Sequence, residues 1–322
     1  ILYNSDYYAW FLKKLREDIL EDIRRGSAQI VVGTHALLQE HVEFANLGFV
    51  VIDEQHRFGV AQRALLREKG KLNPDVLVMT ATPIPRTLSL TVYGDLDVSI
   101  IDELPKNRKE IRTAVRTEKE KEKIFAFVRA EVQKGRQAYI VYPLIEESEK
   151  VDLKAATAEY EIFRTKIFPD FKIGLLHGRL SSEEKDALMQ QFKKRTIDIL
   201  VATTVIEVGI DIANATIMII ENAERFGLSQ LHQLRGRVGR GAEQSYCILL
   251  TDEQYVKQKL QLMNDRAKAR EEIQATQKRL ATMVATNDGF KISEVDLELR
   301  GAADYFGTRQ TGVPNYKVEN IL

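Results

Sequence analysis

Val50-Val51-Ile52-Asp53-Glu54-Gln55-His56 is the most informative stretch of the chain, because an apolar, β-branched run leads directly into two adjacent carboxylates. Such a run is typical of a short buried strand. Similar runs at 28–32 and 76–79 predict two more strands, and the helical spacing of apolar residues at 7–25 predicts an amphipathic helix that ends at Gly26. Short buried strands separated by helices indicate a parallel sheet with helices on both faces.

A second alternation of strands and helices follows a charged stretch, Asp102 to Lys109, which contains Pro105 and is typical of an interdomain linker. Strands are predicted at 138–141, 172–176, 198–202, 217–221 and 246–250, and helices at 119–133, 153–167 and 182–194. An apolar stripe at 252–286 predicts a helical hairpin, whereas the residues after Asn287 show no regular period. The predicted fold class is α/β, with two parallel-sheet lobes, the first truncated, followed by the hairpin and an irregular tail. The predicted domains are 1–106, 107–251 and 252–322.

The composition is that of an ordinary globular protein, since 44% of the 322 residues are hydrophobic. No apolar run approaches the roughly 18 residues that a membrane helix needs, and the single Cys247 cannot form an internal disulfide. We therefore expect a soluble, cytoplasmic protein with no membrane partner. The 47 basic residues balance the 47 acidic ones, so any nucleic-acid binding must come from a local patch. The chain starts at Ile1 rather than at a Met, which suggests part of a longer chain.

Asp53 and Glu54 are candidates for a metal site and for water activation. They follow a predicted strand, and ligands of open α/β sheets bind at the carboxyl ends of the strands. Two carboxylates there can hold a hydrated Mg²⁺ while one of them polarises a water molecule. The alternative is a solvated acidic loop after a strand. A zinc protease site is disfavoured, because the chain has no His-Glu-x-x-His sequence.

Arg237 and Arg240 are candidates for phosphate binding, and they lie in Gln230-Leu231-His232-Gln233-Leu234-Arg235-Gly236-Arg237-Val238-Gly239-Arg240-Gly241. Their spacing of three residues places both side chains on one side of a helical turn. A polyphosphate whose charge grows during phosphoryl transfer needs such a pair. The pattern therefore predicts two arginine-finger residues, with a basic surface loop as the alternative.

Thr203, Thr204 and Asp211 form a third candidate group, just after the predicted strand at 198–202. The threonines could donate hydrogen bonds to a nucleic-acid phosphate, and Asp211 could accept one from a ribose hydroxyl. Taken singly, each of these residues is more often a helix cap or part of a turn.

Taken together and in this order, the motifs resemble those of the superfamily 2 helicases of DExH type. The match narrows to the RecG family through Asp53-Glu54-Gln55-His56-Arg57-Phe58-Gly59, Thr82-Pro83-Ile84-Pro85-Arg86-Thr87, Glu221-Asn222-Ala223-Glu224-Arg225-Phe226-Gly227-Leu228 and the 230–241 stretch. The resemblance implies two RecA-like lobes, with ATP and Mg²⁺ bound in the cleft between them. It further implies ATP-driven movement on double-stranded DNA.

The resemblance also implies a role for each candidate side chain. In the catalytic set, the carboxylates Asp53 and Glu54 serve Mg²⁺ and the attacking water. His56 and Gln233 couple the nucleotide state to DNA, and Arg237 and Arg240 sense the γ-phosphate. Nucleotide binding is assigned to Gly209 and Asp211. DNA binding or coupling is assigned to Thr34, His35, Thr80, Thr82, Arg86, His177, Thr203, Thr204, Arg300, Arg309 and Gln310.

The tail would link motor strokes to movement of the duplex through Arg300, Arg309 and Gln310. The alternative is that these arginines only fix the tail against the second lobe. The implied partner is branched DNA, such as stalled forks and Holliday junctions, and the implied state is a monomer. A transcription-repair coupling translocase is the alternative family, but Gln55 and Thr308-Arg309-Gln310 look more like the RecG family.

One element of the family is missing from the chain, because no Gly-x-x-x-x-Gly-Lys-Ser/Thr sequence occurs in residues 1–322. The backbone amides of that P-loop normally cradle the phosphates of the nucleotide. We therefore expect an upstream part of the same protein to supply the P-loop and the wedge domain of the family. As an isolated fragment, the chain could instead be a catalytically inert module that binds DNA or a partner.

Overall fold

The computed structural model describes residues 5–53, 74–80, 97–101, 103, 108–143, 157–203, 211–256 and 267–300. These residues fall into two compact units, one within 1–81 and the other within 82–322. Parallel strands form the centre of each unit, which confirms the predicted α/β class. Among the helices that the structure describes, none offers the apolar length that a bilayer requires. The domain borders at 106/107 and 251/252 stay predictions.

The first unit contains a long helix and two parallel strands in its described part. Helix α1 (Ser5–Arg25) ends at Gly26, whose φ of 76° is the left-handed conformation that commonly closes a helix. Strand β1 (Phe49–Ile52) pairs in parallel with strand β2 (Asp75–Val78). The three corresponding predictions are confirmed, each within two residues of its expected start.

The strand predicted at 28–32 is wrong. Among the described residues, no strand lies beside this segment to supply backbone hydrogen bonds. Ile30 and Val32 are 86% and 92% exposed, so their side chains have nothing to pack against in the described part of the unit. A β-branched run favours a strand only where a neighbouring strand and a buried face are available.

The second unit is built on six described parallel strands with helices on both faces. The strands are β3 (Arg112–Thr117), β4 (Gln137–Tyr142), β5 (Ile173–Leu176), β6 (Ile199–Thr203), β7 (Ala215–Ile220) and β8 (Tyr246–Thr251). The helices are α2 (Lys121–Gln133), α3 (Ser182–Lys193), α4 (Leu228–Arg235), α5 (Ala267–Ala285) and α6 (Gly289–Arg300), in addition to a helical segment at 157–167. The strand order across the sheet is β3-β8-β7-β4-β6-β5.

Helices cover both faces of this sheet, so successive side chains of a central strand are all buried. On β4, Tyr139 belongs to an apolar cluster with Met189 of α3 and Leu280 of α5, whereas Ile140 belongs to a second cluster with Val128 of α2. A strand that is buried on both faces has a continuous apolar sequence rather than an alternating one. The five strands predicted in this unit are confirmed, and this is why four of them, β4, β6, β7 and β8, have mostly apolar sequences, whereas the edge strand β5 alternates between buried and half-buried residues.

Two elements of the second unit differ from the sequence prediction. Strand β3 is not apparent in the sequence, because it lies at the edge of the sheet and exposes Arg112 and Arg116. Helix α6 forms where an irregular tail was expected after Asn287. The Asp288 carboxylate accepts a hydrogen bond from the N–H of Phe290 at 2.9 Å and so caps this helix. We call the described pair α5 and α6 the hairpin; residues 257–266 of the hairpin predicted at 252–286 lie outside the described part of the chain, so that prediction stays a prediction.

Candidate functional site

The carboxyl ends of β1 and β2 bring two predicted residues to one edge of the first unit. Asp53 follows β1 directly, Thr80 lies two residues beyond β2, and the N–H of Met79 donates to the carbonyl of Ile52 at 2.7 Å. The Asp53 side chain is exposed. A carboxylate at a strand end fits a hydrated Mg²⁺, which takes one or two carboxylates together with substrate phosphates. In the described residues no group of three or more His, Cys, Asp or Glu side chains forms a metal site.

Thr34 has a local structural role in the same unit. Its hydroxyl accepts a hydrogen bond from the N–H of Ala36 at 3.4 Å and caps the short helix His35–Leu38. A DNA contact by Thr34 stays a prediction. Several predicted site residues lie outside the described part of the chain, namely Glu54, His56, Thr82, Arg86, Thr204, Gly209, Arg309 and Gln310, and the structure describes only the backbone of His35 and Arg300.

The carboxyl ends of four adjacent strands in the second unit form a row of buried polar groups, Glu221, Tyr142, Thr203 and His177, which we call the carboxyl-edge row. They stand at the ends of β7, β4, β6 and β5, in that spatial order. Each has one buried polar atom without a hydrogen-bond partner among the described residues, namely Glu221 Oε1, Tyr142 Oη, Thr203 Oγ1 and His177 Nδ1. Buried polar atoms are nearly always paired. An unpaired row at the ligand-binding edge of an α/β sheet is therefore a candidate binding surface.

The charge state of His177 suits a hydrogen-bonding role in this row. Burial is the main cause that lowers its pKa, and the positive charges of Arg179 and Lys185 lower it further. The imidazole is therefore neutral at neutral pH and can both donate and accept a hydrogen bond.

The segment after α4 brings the two predicted arginines together, but not on a helical turn. Helix α4 ends at Arg235, and Gly239 has a φ of 76°, so the expected helical spacing of Arg237 and Arg240 is wrong. A Cβ at Gly239 would lie 2.8 Å from Ile111 Cγ1, which makes glycine necessary at this position. The chain thus leaves the helix at the point where the arginines begin.

The positive charges of Arg237 and Arg240 nevertheless both influence the same side chain, Tyr139. Burial raises the pKa of Tyr139, and the charges of both arginines oppose this rise. Arg240 Nη1 lies 3.6 Å from Asp211 Oδ1, and Arg240 Nε donates to the carbonyl of Gly236 at 3.3 Å. Two cations and one predicted nucleotide-binding carboxylate, that of Asp211, therefore all act electrostatically on Tyr139.

Arg235 is a functional candidate that the sequence analysis missed. It is 2% exposed, and its Nη1 donates to the carbonyls of Met283 and Thr286 at 2.8 and 2.9 Å, at the end of α5. Its Nη2 lies 3.0 Å from His232 Nδ1. Arg235 stands seven residues after Leu228 on the buried face of α4, and this apolar spacing was the signal that could have identified it.

The helical hairpin is also attached to the segment that precedes α4. Arg279 of α5 donates to the carbonyls of Glu224 and Phe226, both at 3.1 Å, and to Thr276 Oγ1 at 2.7 Å. On α6, Asp296 Oδ2 accepts a hydrogen bond from Ser229 Oγ at 2.6 Å. Hydrogen bonds therefore hold the hairpin on both sides of α4. Gln233 lies on α4 between these attachments and is partly exposed.

Three family descriptions match successive parts of the chain. The family "DEAD/DEAH box helicase" matches residues 6–91, "Helicase conserved C-terminal domain" matches residues 119–242, and "ATP-dependent DNA helicase RecG, domain 3, C-terminal" matches residues 286–322. The first match falls largely on the first unit, the second on the part of the sheet from β4 to β7 with α4, and the third on α6 and the residues after it.

Proteins named ATP-dependent DNA helicase RecG match nearly the whole chain. The protein from Synechocystis sp. is 53% identical over 307 residues, which cover 95% of the chain and 35% of that protein. The protein from Bacillus subtilis is 50% identical over 313 residues, which cover 96% of the chain and 42% of that protein. The chain thus spans about two fifths of the length of these curated relatives.

Solved structures show the same similarity. A structure described as RecG bound to a three-way DNA junction covers 94% of the chain and 36% of its own length, with a TM-score of 0.66 and 45% sequence identity. The helicase Lhr of Mycobacterium smegmatis, bound to ssDNA and AMP-PNP, covers 77% of the chain with a TM-score of 0.51 and 18% identity. The second likeness concerns the fold alone.

Proposed function

The chain belongs to the RecG family of superfamily 2 helicases, and on that premise we propose that its protein is an ATP-dependent helicase that translocates on double-stranded DNA. Its substrates are branched structures such as stalled forks and Holliday junctions, and its work serves recombination and repair. The similarity to a protein solved on a three-way DNA junction supports this choice of substrate. We place this activity in the cytoplasm of a bacterium, with the protein acting as a monomer.

The observation that carries the proposal is the attachment of the hairpin to α4 by Arg235. Its guanidinium is buried and donates to two carbonyls at the end of α5, two residues before Arg237 begins the arginine segment. A movement of the arginine segment is therefore transmitted to α5 through a short, hydrogen-bonded connection. A motor needs such a connection between the part that senses the nucleotide and the part that moves DNA.

The nucleotide side of the site consists of cations and carboxylates. Arg237 and Arg240 stabilise the charge that grows on the transferred phosphoryl group, and Asp211 keeps Arg240 in place through its carboxylate. Asp53 supplies a carboxylate ligand for Mg²⁺, and Glu54 orients the attacking water. Bound Mg²⁺ neutralises phosphate charge. We propose that an upstream part of the same protein supplies the P-loop.

The DNA side consists of the carboxyl-edge row and the tail. The half-buried, neutral His177 imidazole is suited to donate a hydrogen bond to a phosphate backbone. The Thr203 hydroxyl is buried, so it would support this edge from beneath, and a direct DNA contact by Thr203 stays a prediction. Arg300, at the end of α6, begins the tail that continues to Arg309 and Gln310. We propose that residues 1–106 and 107–251 form the two motor lobes, and that 252–322 couples them to the duplex.

The test is a double substitution, Arg309→Ala with Gln310→Ala, in the full-length protein. We expect DNA-stimulated ATP hydrolysis to persist while unwinding of a forked duplex is lost, because coupling can fail while the phosphate site stays assembled. Both activities are measured at two salt concentrations. Lys317→Ala, which removes one charge from the same tail, is the matched control and should leave unwinding intact.

The opposite outcome is equally clear. If both activities fall together and excess DNA restores them, the two side chains only bind phosphates, and the salt dependence of binding should then decrease by about one counterion for the charge of Arg309. That result would reject the coupling role of the tail.

A second candidate rests on the lack of a P-loop sequence in residues 1–322. The chain by itself would then bind DNA or a partner without catalysis. Incubation of the isolated chain with ATP, Mg²⁺ and forked DNA tests this alternative. DNA-stimulated hydrolysis by the isolated chain would reject it, and would also show that the P-loop is dispensable here.

A further inference from the structure

A buried ion pair joins the carboxyl end of β7 to the start of α2. Glu221 is 1% exposed and directly follows β7, and its Oε2 lies 3.1 Å from Nζ of Lys121, the first residue of α2. Lys121 Nζ also lies 2.8 Å from Glu118 Oε2. A cation is unfavourable at a helix N-terminus, because the first turn exposes unpaired N–H groups. The two carboxylates compensate for this unfavourable position.

The surroundings of Glu221 are poorly suited to a permanent negative charge. Its Oε1 has no hydrogen-bond partner among the described residues, and neither has the neighbouring Tyr142 hydroxyl. Glu118 and Glu159 add negative charge on the same side, and Lys121 is the one cation that acts on Glu221 among the described groups. The pair contributes little net stability, because removing the Glu221 carboxylate from water offsets its attraction to Lys121. Stability therefore does not account for the pair.

The residue after Glu221 supplies another explanation. Asn222 has a left-handed conformation, with φ 48° and ψ 51°, which is uncommon for a residue other than glycine. It begins the short helix Ala223–Arg225, and the carbonyls of Glu224 and Phe226 receive the guanidinium of Arg279. The turn at Asn222 therefore sets the position of the segment to which the hairpin is attached.

We propose that Lys121 and Glu221 are positioning residues whose ion pair holds the turn at Asn222. The charge state of Glu221 then determines how efficiently ATP hydrolysis is coupled, through the hairpin, to unwinding. The proposal rests on the proposed helicase function. Burial raises the pKa of Glu221 to about 7, while the charge of Lys121 lowers it. Both charge states are therefore populated near neutral pH, and protonation leaves Lys121 with Glu118 as its remaining partner.

The experiment measures base pairs unwound per ATP hydrolysed by the full-length protein between about pH 6 and pH 8. A group with a pKa of about 7 is roughly nine-tenths ionised at the upper limit and one-tenth at the lower, so this ratio should fall roughly tenfold towards low pH. Glu221→Gln should give a ratio that is low at both limits. Lys121→Met removes the cationic partner of Glu221, so no ion pair can form and the ratio should again be low at both limits. Lys119→Met removes an exposed ion pair with Glu253 and is the matched control, with an unchanged profile.

Each outcome decides the proposal. A wild-type profile in Glu221→Gln or in Lys121→Met overturns it. If Glu221→Gln does not fold, the profile of Lys121→Met decides by itself. Equal losses of hydrolysis and unwinding, together with a lower Tm, would make the pair a structural brace and also overturn the proposal. A wild-type protein without any DNA-stimulated hydrolysis would instead refute the proposed function.

Discussion

Replacing Arg235 by Lys tests how the hairpin is held, because the substitution keeps the positive charge and removes the forked guanidinium. In the native structure two carbonyls, of Met283 and Thr286, accept hydrogen bonds from Arg235 at 2.8 and 2.9 Å. An ammonium group is a compact point donor, so we expect it to keep one of these bonds at most. A hydrogen bond to a charged group contributes about 1.5–3 kcal/mol, so the undocked fraction of the hairpin should increase roughly 10- to 150-fold.

Hydrogen exchange of backbone amides is the assay for this change. Amides of α5 and α6 should exchange faster by the same factor in Arg235→Lys, whereas amides of β4 and β6 should keep their protection. Unwinding per ATP should decrease while ATP hydrolysis persists. The control is Lys278→Met, which removes an exposed ion pair with Glu298 that contributes at most about 1 kcal/mol. Unchanged exchange across residues 267–300 in Arg235→Lys would refute the reasoning.

Four other substitutions in the full-length protein test the chemistry and the burial of the site. Glu54→Gln should lower kcat for DNA-stimulated ATP hydrolysis by about 10²-fold or more without loss of nucleotide or DNA binding, and an unchanged kcat would assign Glu54 to structure. Arg240→Ala should lower kcat by about 10³-fold, and a loss seen only with Arg237→Ala would show that Arg237 is the finger. Burial lowers the pKa of His232 to about 4, so the folded state resists its protonation. The free energy of unfolding should therefore fall by roughly 3 kcal/mol between about pH 6.5 and pH 4, and His232→Gln should remove this decrease in urea titrations.

The fold was predictable for those elements whose burial gives the sequence a recognisable pattern of apolar residues. The strands β4, β6, β7 and β8 are mostly apolar because helices cover both of their faces, and their short length favours a strand over a helix. The segment 28–32 has a similar composition, but the described unit offers it no partner strand. Local composition cannot reveal whether a neighbouring strand is available, since that depends on tertiary structure.

The site was predictable from chemistry only in part. The convergence of Arg237 and Arg240 was expected for the wrong reason, because Gly239 ends the helical geometry while the fold still brings both cations to Tyr139. Arg235 was missed because an arginine beside glycines suggests a phosphate, whereas its acceptors are backbone carbonyls about fifty residues later in the chain. Because every residue has a backbone carbonyl, the sequence does not show which distant residue accepts such a hydrogen bond.

The burial of Arg235 also determines where the chain can be divided. If the chain were cut after β8, Arg235 would lose both carbonyl acceptors. The cut would also expose the apolar cluster of the sheet that Leu280, Met283 and Ile292 of the hairpin belong to. The sheet of the second unit and the hairpin are therefore one folding unit, even where their chemical tasks differ. A shortened chain that keeps the sheet should therefore keep the hairpin as well.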